Sequence, residues 1–166
     1  MAIRTIVQLG DEVLRKTAKA QQKFDLRLWL LLKDMADTMY KAEGVGLAAP
    51  QVGILRRVVV IDVGDGIVEL INPEIVSVEG EQEGEEGCLS VPGLYGIVKR
   101  PMVVTVKAQD RYGKPFEVTG EGLTARAFAH ELDHLDGHIF TELVTRYLDP
   151  EEMIRERELD TDEASS

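Results

Sequence analysis

Residues 122–137 read Gly-Leu-Thr-Ala-Arg-Ala-Phe-Ala-His-Glu-Leu-Asp-His-Leu-Asp-Gly, and the prediction of the fold starts from this segment. We expect a helix that begins near Gly122 and ends at about Asp136, because Gly137 suits the position that follows a helix. A pair of histidines lies on this helix among apolar neighbours, which are Leu123, Ala127, Phe128, Leu132 and Leu135. A polar pair in such surroundings is buried, and buried imidazoles need partners. We therefore expect this helix to lie at the centre of the molecule.

A second long helix is predicted nearer the N-terminus. Asp25 is a suitable N-cap residue, leucines and methionines follow at helical spacing, and Gly44 suits the end of the helix. The apolar run of residues 26–32 lies in its first turns and indicates a helix that belongs to the core. A short helix over residues 11–19 and a fourth helix after Pro150 complete the predicted helices.

Apolar and β-branched runs between the two long helices predict strands. They cover residues 58–61, 67–71, 75–78, 102–108 and 115–118, and the last two form a hairpin around residues 111–114. Strands and helices do not alternate, so we predict an α+β fold in which mostly antiparallel sheets pack around the central helix, with a C-terminal helix. The chain shows no internal repeat or linker. We therefore expect residues 1–166 to form a single domain, with residues 160–166 as a disordered tail.

The composition of the chain excludes several classes of protein. Its single cysteine, Cys88, rules out an intramolecular disulfide, and no apolar run is long enough to span a membrane. A net charge of −11 disfavours binding to nucleic acid and to anionic membranes. The acidic residues concentrate in residues 79–86 and 149–166, which we interpret as solvated surface. No secretory signal is evident at the start of the sequence, so we expect a cytoplasmic protein.

The central helix contains the metal-binding pattern His-Glu-x-x-His. His130 and His134 are four residues apart, which places them roughly 40° apart around the helix axis, so both imidazoles can bind one metal ion. Glu131 lies roughly 60° from His134 by the same geometry, which places its carboxylate beside the ion. This position suits a general base that acts on a water molecule activated by the metal.

A catalytic metal site also needs a third protein ligand and an open position. His138 follows too closely along the helix to be an obvious ligand, and we expect it to have a structural or surface role. Glu142 and Glu151 are possible downstream carboxylates, although no spacing marks either one. Cys88 is the better candidate, because an inert thiol has little reason to lie in an acidic stretch and a metal would stabilise its thiolate.

Three segments together resemble the peptide deformylase family. They are Gly44-Val45-Gly46-Leu47-Ala48-Ala49-Pro50-Gln51, Glu86-Gly87-Cys88-Leu89-Ser90 and His130-Glu131-Leu132-Asp133-His134, and their order and separations also match that family. The likeness extends from about Val13 to Leu143. One departure is visible, because the family usually has Gln before the first histidine of the motif, where this chain has Ala129.

The resemblance implies a role for each of these segments. It implies that Cys88, His130 and His134 bind the metal and that Glu131 is the acid and base of the reaction. It also implies that the Gln51 amide and the Leu89 backbone N–H donate to the carbonyl oxygen of a formyl group. The substrate backbone is expected along the glycine-rich segment like an added strand. The residues implied in substrate binding are Val45, Gly46, Glu86, Gly87, Leu123 and Ala127, of which Val45, Leu123 and Ala127 would line an apolar pocket for the methionine side chain.

The resemblance also implies the cofactor and the partners. One divalent metal ion is expected, with Fe²⁺ favoured and Zn²⁺ second, although two histidines and a cysteine also accept Ni²⁺ or Co²⁺. The substrates would be N-formyl-methionyl peptides and nascent chains, from which the enzyme releases formate. The protein would act as a monomer. We expect no docking on the ribosome through the C-terminal segment, because that segment is acidic.

Two other functions remain compatible with the metal motif. A zinc endopeptidase would cleave internal peptide bonds and would take its third ligand from downstream, so Cys88→Ala would keep the metal. A non-catalytic protein with a structural zinc would leave Glu131 and Gln51 without a purpose, and a chelator would unfold it.

Overall fold

The computed structural model describes residues 2–149, and within them the chain has the predicted α+β architecture. The helices are α1 (Leu26–Lys41) and α2 (Leu123–Leu135), with short 3-10 turns at Glu12–Arg15, Ala49–Val52 and Phe140–Glu142. The strands are β1 (Gly46–Ala48), β2 (Val58–Ile61), β3 (Val68–Glu79), β4 (Gln82–Cys88), β5 (Val91–Arg100), β6 (Val103–Gln109), β7 (Pro115–Glu121) and β8 (Val144–Leu148).

All of these strands pair in the antiparallel sense and form two sheets. One sheet has five strands in the order β1-β2-β3-β6-β7, and the other has three in the order β4-β5-β8. Strand β1 lies at the edge of the larger sheet and pairs with β2 alone among the described strands. The backbone of β1 therefore offers a free edge to a peptide that adds as a further strand.

The two helices cover opposite faces of the five-stranded sheet. Along β2, Val58 and Val60 pack in a cluster with the apolar face of α1, whereas Val59 and Ile61 pack in a cluster with α2. This division follows from the pleat, since neighbouring side chains of a strand point to opposite faces. A third apolar cluster, which includes Leu14, Val91, Val98, Ile139 and Phe140, holds the smaller sheet to the rest of the molecule.

The ends of both long helices lie where the sequence predicts them. The Asp25 carboxylate accepts a hydrogen bond from the Leu28 N–H at 3.3 Å and caps α1. After α2, Gly137 adopts a φ of +80°, and a Cβ at this position would lie only 2.5 Å from the carbonyl oxygen of Arg15. Only glycine satisfies both the left-handed backbone and the close approach.

The structure corrects several details of the predicted elements. The helix predicted over residues 11–19 is only the 3-10 turn Glu12–Arg15, because the chain is extended again at Lys16. The strands predicted over residues 67–71 and 75–78 are one long strand, β3, whose pairing shifts near Asn72, where φ is +51°. Strands β1, β4, β5 and β8 are absent from the prediction. The fourth helix and the disordered tail lie outside the described residues. No helix of residues 2–149 combines the length and apolar character needed to cross a membrane.

Candidate metal centre

Helix α2 and the end of β4 bring the three candidate metal ligands together. Cys88, His130 and His134 each offer one ligand atom, and these atoms all lie within 4.8 Å of one another. The Cys88 Sγ is 3.3 Å from the His134 Nε2. A cluster of one thiol and two imidazoles fits zinc, iron, nickel or cobalt, which accept nitrogen and sulfur ligands. The two histidines of the motif and the cysteine predicted as the third ligand are therefore close together in space.

The Glu131 carboxylate lies beside this cluster. Its Oε1 is 3.8 Å from the His130 Nε2, and its buried Oε2 has no hydrogen-bond partner within the described part of the chain. Burial raises the pKa of Glu131 to about 7. A buried carboxylate oxygen without a protein partner is available to a water molecule or a substrate, and a pKa near neutrality suits proton transfer.

A second carboxylate, Glu86, holds His130 from the other side of its ring. The His130 Nδ1 lies 2.6 Å from the Glu86 Oε1, so this nitrogen donates and leaves the Nε2 for the cluster. Arg100 donates to both oxygens of Glu86, at 2.6 and 3.0 Å, and Arg126 donates to the Oε2 at 2.6 Å. Burial alone would raise the pKa of Glu86, but His130 and Arg100 lower it to about 2.

The position of Glu86 corrects the interpretation of residues 79–86 as solvated surface. Glu86 is 6% exposed and belongs to a buried network, while most other acids of that segment are exposed. The arginines of this network do not stand out in the sequence. One signal was available, since Arg126 precedes His130 by four residues and therefore shares its side of the helix.

The Gln51 amide is fixed next to the cysteine. Its Oε1 accepts from the Ala48 N–H at 3.0 Å, and its Nε2 donates to the Ser90 Oγ at 3.1 Å and lies 3.5 Å from the Cys88 Sγ. The oxygen is therefore bound to the backbone, and the amide N–H groups face the cluster. Ser90, which is fully buried, is a further residue that the sequence analysis did not single out.

A pocket of about 530 Å³ opens onto the cluster. The residues that the resemblance implicates in substrate binding all line it, namely Val45, Gly46, Glu86, Gly87, Leu123 and Ala127. Leu123 and Val45 are 55% and 44% exposed and form its rim, whereas Ala127 is buried. Leu89 also lines the pocket, and its side chain leaves no room for a Cβ at Gly44, which would lie 2.6 Å from the Leu89 Cδ1.

The remaining candidates lie elsewhere or offer no ligand. His138 is exposed and bonds to Glu142, which also pairs with Arg15, so neither His138 nor Glu142 reaches the cluster. Glu151 lies outside the described residues. Ala129 is buried and has no hydrogen-bonding side chain. The buried Nδ1 of His134 has no partner within residues 2–149.

Comparison with known proteins identifies relatives in the peptide deformylase family. The model of the polypeptide deformylase family matches residues 3–148. The peptide deformylase of Acetivibrio thermocellus is 60% identical over 158 residues, which cover 95% of this chain and 93% of the relative. That of Caldicellulosiruptor bescii is 57% identical over 157 residues, or 95% of each chain.

Solved structures agree with these relatives. The crystal structure of a peptide deformylase from Legionella pneumophila has a TM-score of 0.84 and 52% identity, covering 98% of this chain and 96% of that one. The peptide deformylase of Thermotoga maritima has a TM-score of 0.86 and 44% identity, covering 87% of this chain and 99% of that one. The chain belongs to the peptide deformylase family, whose metal-dependent members remove the N-formyl group from newly made polypeptides.

Proposed function

We propose that this chain removes the formyl group from N-terminal formyl-methionine with one divalent metal ion held by Cys88, His130 and His134. One observation carries the proposal: the three ligand atoms cluster at the pocket with the Glu131 carboxylate next to them. When bound there, the ion would act as a Lewis acid and lower the pKa of water. Fe²⁺ is our choice for the native ion, because the resemblance favours it and the ligand set accepts it.

Glu131 moves the proton in this reaction. Its partnerless Oε2 accepts a proton from the water that attacks the formyl carbon. The same carboxyl group then donates the proton to the nitrogen of methionine as the carbon–nitrogen bond breaks. The products are formate and a free amino terminus, so the atoms balance with one water consumed.

Gln51 and the Leu89 backbone N–H stabilise the negative charge that develops on the formyl oxygen. The Gln51 amide is held by Ala48 and Ser90, so its orientation is set before the substrate binds. One of its two N–H protons serves Ser90, and the other points towards the Cys88 sulfur, on the side of the proposed metal ligands. A fixed donor of this kind contributes about 3–4 kcal/mol to lowering a barrier.

The peptide backbone of the substrate pairs with the free edge of β1, next to Val45 and Gly46. The methionine side chain then enters the pocket between Leu123 at the rim and the buried Ala127, with Glu86 and Gly87 along the wall. The substrate class is therefore the amino terminus of extended formyl-methionyl peptides and nascent chains.

The experiment is formate release from formyl-Met-Ala-Ser by anaerobically purified, iron-loaded protein. Glu131→Ala should keep the metal and lose nearly all activity, whereas Cys88→Ala should lose both. Metal retained by Cys88→Ala together with cleavage of internal peptide bonds would favour an endopeptidase instead. No release by wild type with the metal bound would refute the proposal.

Two further properties follow from the proposed substrate. New polypeptides carry formyl-methionine as their first residue, so we propose that the enzyme acts in the cytoplasm, where they are made. We also propose that it acts as a monomer, and the residues that line the pocket in one chain are consistent with this. Light scattering on the purified protein tests the oligomeric state, and a dimer mass would contradict it.

A further inference from the structure

Arg126 is a buried cation on α2, one turn before His130. Its side chain is 7% exposed, and its Nη1 donates to the Glu86 Oε2 at 2.6 Å and to the Val98 carbonyl at 3.1 Å. Its Nη2 is 3.5 Å from the Gln82 Oε1. All three partners belong to β4 and β5, so this guanidinium ties the central helix to the smaller sheet.

The neighbouring arginine cannot replace Arg126. Arg100 donates to Glu86, but its Nη1 also donates to the Asp133 Oδ2 at 2.7 Å, so it serves two carboxylates. Within residues 2–149, this network of arginines and carboxylates contains two cations and two anions, so its charges balance when Arg126 is present. Removal of one partner leaves a buried carboxylate with too little compensation, and such a group moves, recruits water or takes up a proton.

The position of Arg126 is also sterically fixed. Gly84 on β4 faces the guanidinium, and a Cβ there would lie 3.0 Å from the Nη2. Because Gly84 has no side chain, it leaves the space in which the Arg126 guanidinium lies. Helix α2 therefore provides the charge, and β4 provides the space for it.

We infer that Arg126 is a positioning residue for the metal centre: it fixes the Glu86 carboxylate, which in turn fixes the His130 imidazole with its Nε2 towards the ion. This inference rests on the ligand set proposed above. Arg100 donates to both oxygens of Glu86, whereas His130 bonds to the Oε1 alone and Arg126 to the Oε2 alone. Because the Arg126 guanidinium holds the Oε2, it sets the direction in which the Oε1 points towards His130.

The test measures metal affinity and ligand geometry in Arg126→Met and Arg126→Lys. Zinc affinity is obtained by competition with a chelator, and geometry from the visible spectrum of the cobalt-loaded protein. Arg126→Met should bind zinc about 10–100-fold more weakly, as changes in groups that orient metal ligands do, with altered cobalt bands. Arg126→Lys keeps the charge but loses the paired donors, so its loss should be smaller, about 3–10-fold.

Electrostatics alone predicts the opposite result. Loss of a positive charge near a cation site would strengthen metal binding in Arg126→Met and leave Arg126→Lys unchanged. The inference would be overturned if both variants bound zinc as tightly as wild type or more tightly, kept the same cobalt bands and showed only a raised KM. Arg126 would then merely line the pocket. If Arg126→Met does not fold, the zinc affinity of Arg126→Lys tests the inference alone. A zinc affinity equal to that of wild type in Arg126→Lys would then overturn it.

Two controls separate positioning from general damage. Arg57→Met removes an arginine that pairs with Asp136 at the other end of α2, at 2.9 Å, and it should leave zinc affinity unchanged. In a Glu86→Gln background, Arg126→Met should add little, because the residue through which it acts is already altered. A full additional loss in the double variant would contradict the assigned route.

The outcome is distinguishable from failure of the proposed function. If Cys88→Ala binds zinc as tightly as wild type, the ligand set is wrong and the proposed function fails with it. If Cys88→Ala loses the metal while both Arg126 variants match wild type, the ligand set stands and only the role of Arg126 is refuted.

Discussion

Replacement of Gly46 by alanine should impair catalysis by displacing Glu131. Gly46 is the first residue of β1 and pairs with Ile61. A Cβ at this position would lie 2.9 Å from both the Cγ and the Oε1 of Glu131 and 3.0 Å from its Cδ. Ordinary contacts between such atoms begin near 3.5 Å, so the overlap is about half an ångström. The backbone of Gly46 is not left-handed, so the alanine itself is tolerated and the carboxylate must move.

The size of the effect follows from this overlap. A misplacement of about 1 Å can cost about 100-fold in rate, so a shift of half that size or more should lower kcat about 10–100-fold. Insertion of one methyl group into a packed region costs about 1–3 kcal/mol of stability. Metal content should stay at one ion per chain, because the three atoms nearest to the new methyl group all belong to Glu131, which is not a proposed ligand.

Formate release and thermal unfolding should be measured for Gly46→Ala beside Gly120→Ala. In the latter, the new Cβ would lie 2.5 Å from the Thr124 Cγ2 and 2.9 Å from the Phe128 Cε2, away from the reacting groups. Both variants should lose stability, but only Gly46→Ala should lose most of its kcat. Similar kcat values for the two folded variants would refute the reasoning that places Glu131 against β1.

Further outcomes test the core, the substrate and the surface. Phe128→Ala should lower the free energy of unfolding by about 3–5 kcal/mol in urea titrations, because the side chain is 1% exposed; a loss below about 1 kcal/mol would contradict its core position. Acetyl-methionyl peptides should be poor substrates in the formate and acetate assays, because the extra methyl group meets the floor of the site, and equal turnover of both substrates would disprove this. Tyr40→Phe should raise the pKa of Asp62, because the Tyr40 hydroxyl, at 2.6 Å, is the main group that lowers it. Because the pKa of Asp62 is lowered in the folded protein, its ionised carboxylate stabilises the fold, and this stabilisation is lost as the pH falls. If the NMR titration of Asp62 were the same in Tyr40→Phe as in wild type, the contact would be contradicted.

The elements that the sequence predicts well are those with a clear apolar period. Helix α1 and helix α2 each place a continuous apolar face on the sheet, and the β6–β7 hairpin joins two β-branched runs. Strand β4 lacks such a pattern. It alternates between exposed and inward positions, but its inward residues include Gln82, Gly84 and Glu86, which face arginines instead of an apolar core. Its alternation is therefore invisible to a test of hydrophobic period.

The same reason explains which part of the metal centre the sequence predicts. His130 and His134 are four residues apart on one helix, so local geometry relates them. Cys88 is selected by the chemistry of its acidic surroundings and Gln51 by the resemblance, since no local rule connects residues that are 37 or more positions apart. The partners of Glu86 lie 14, 40 and 44 residues away along the chain, so the buried network becomes visible only after the strands and α2 have packed.

Removal of the metal should abolish activity and leave the fold intact. The network of Glu86, Asp133, Arg100 and Arg126 balances its own charges without the ion, and the three apolar clusters lie on both faces of the larger sheet and under the smaller one. The ion would instead compensate the ligand cluster and Glu131, which lie outside this network. A domain of this size forms a sufficient core without a metal. Circular dichroism of the chelator-treated protein should therefore keep its folded spectrum and cooperative unfolding, and formate release should return when iron(II) is added. Unfolding by the chelator would instead indicate a structural ion, and would refute the separation of the fold from the metal centre.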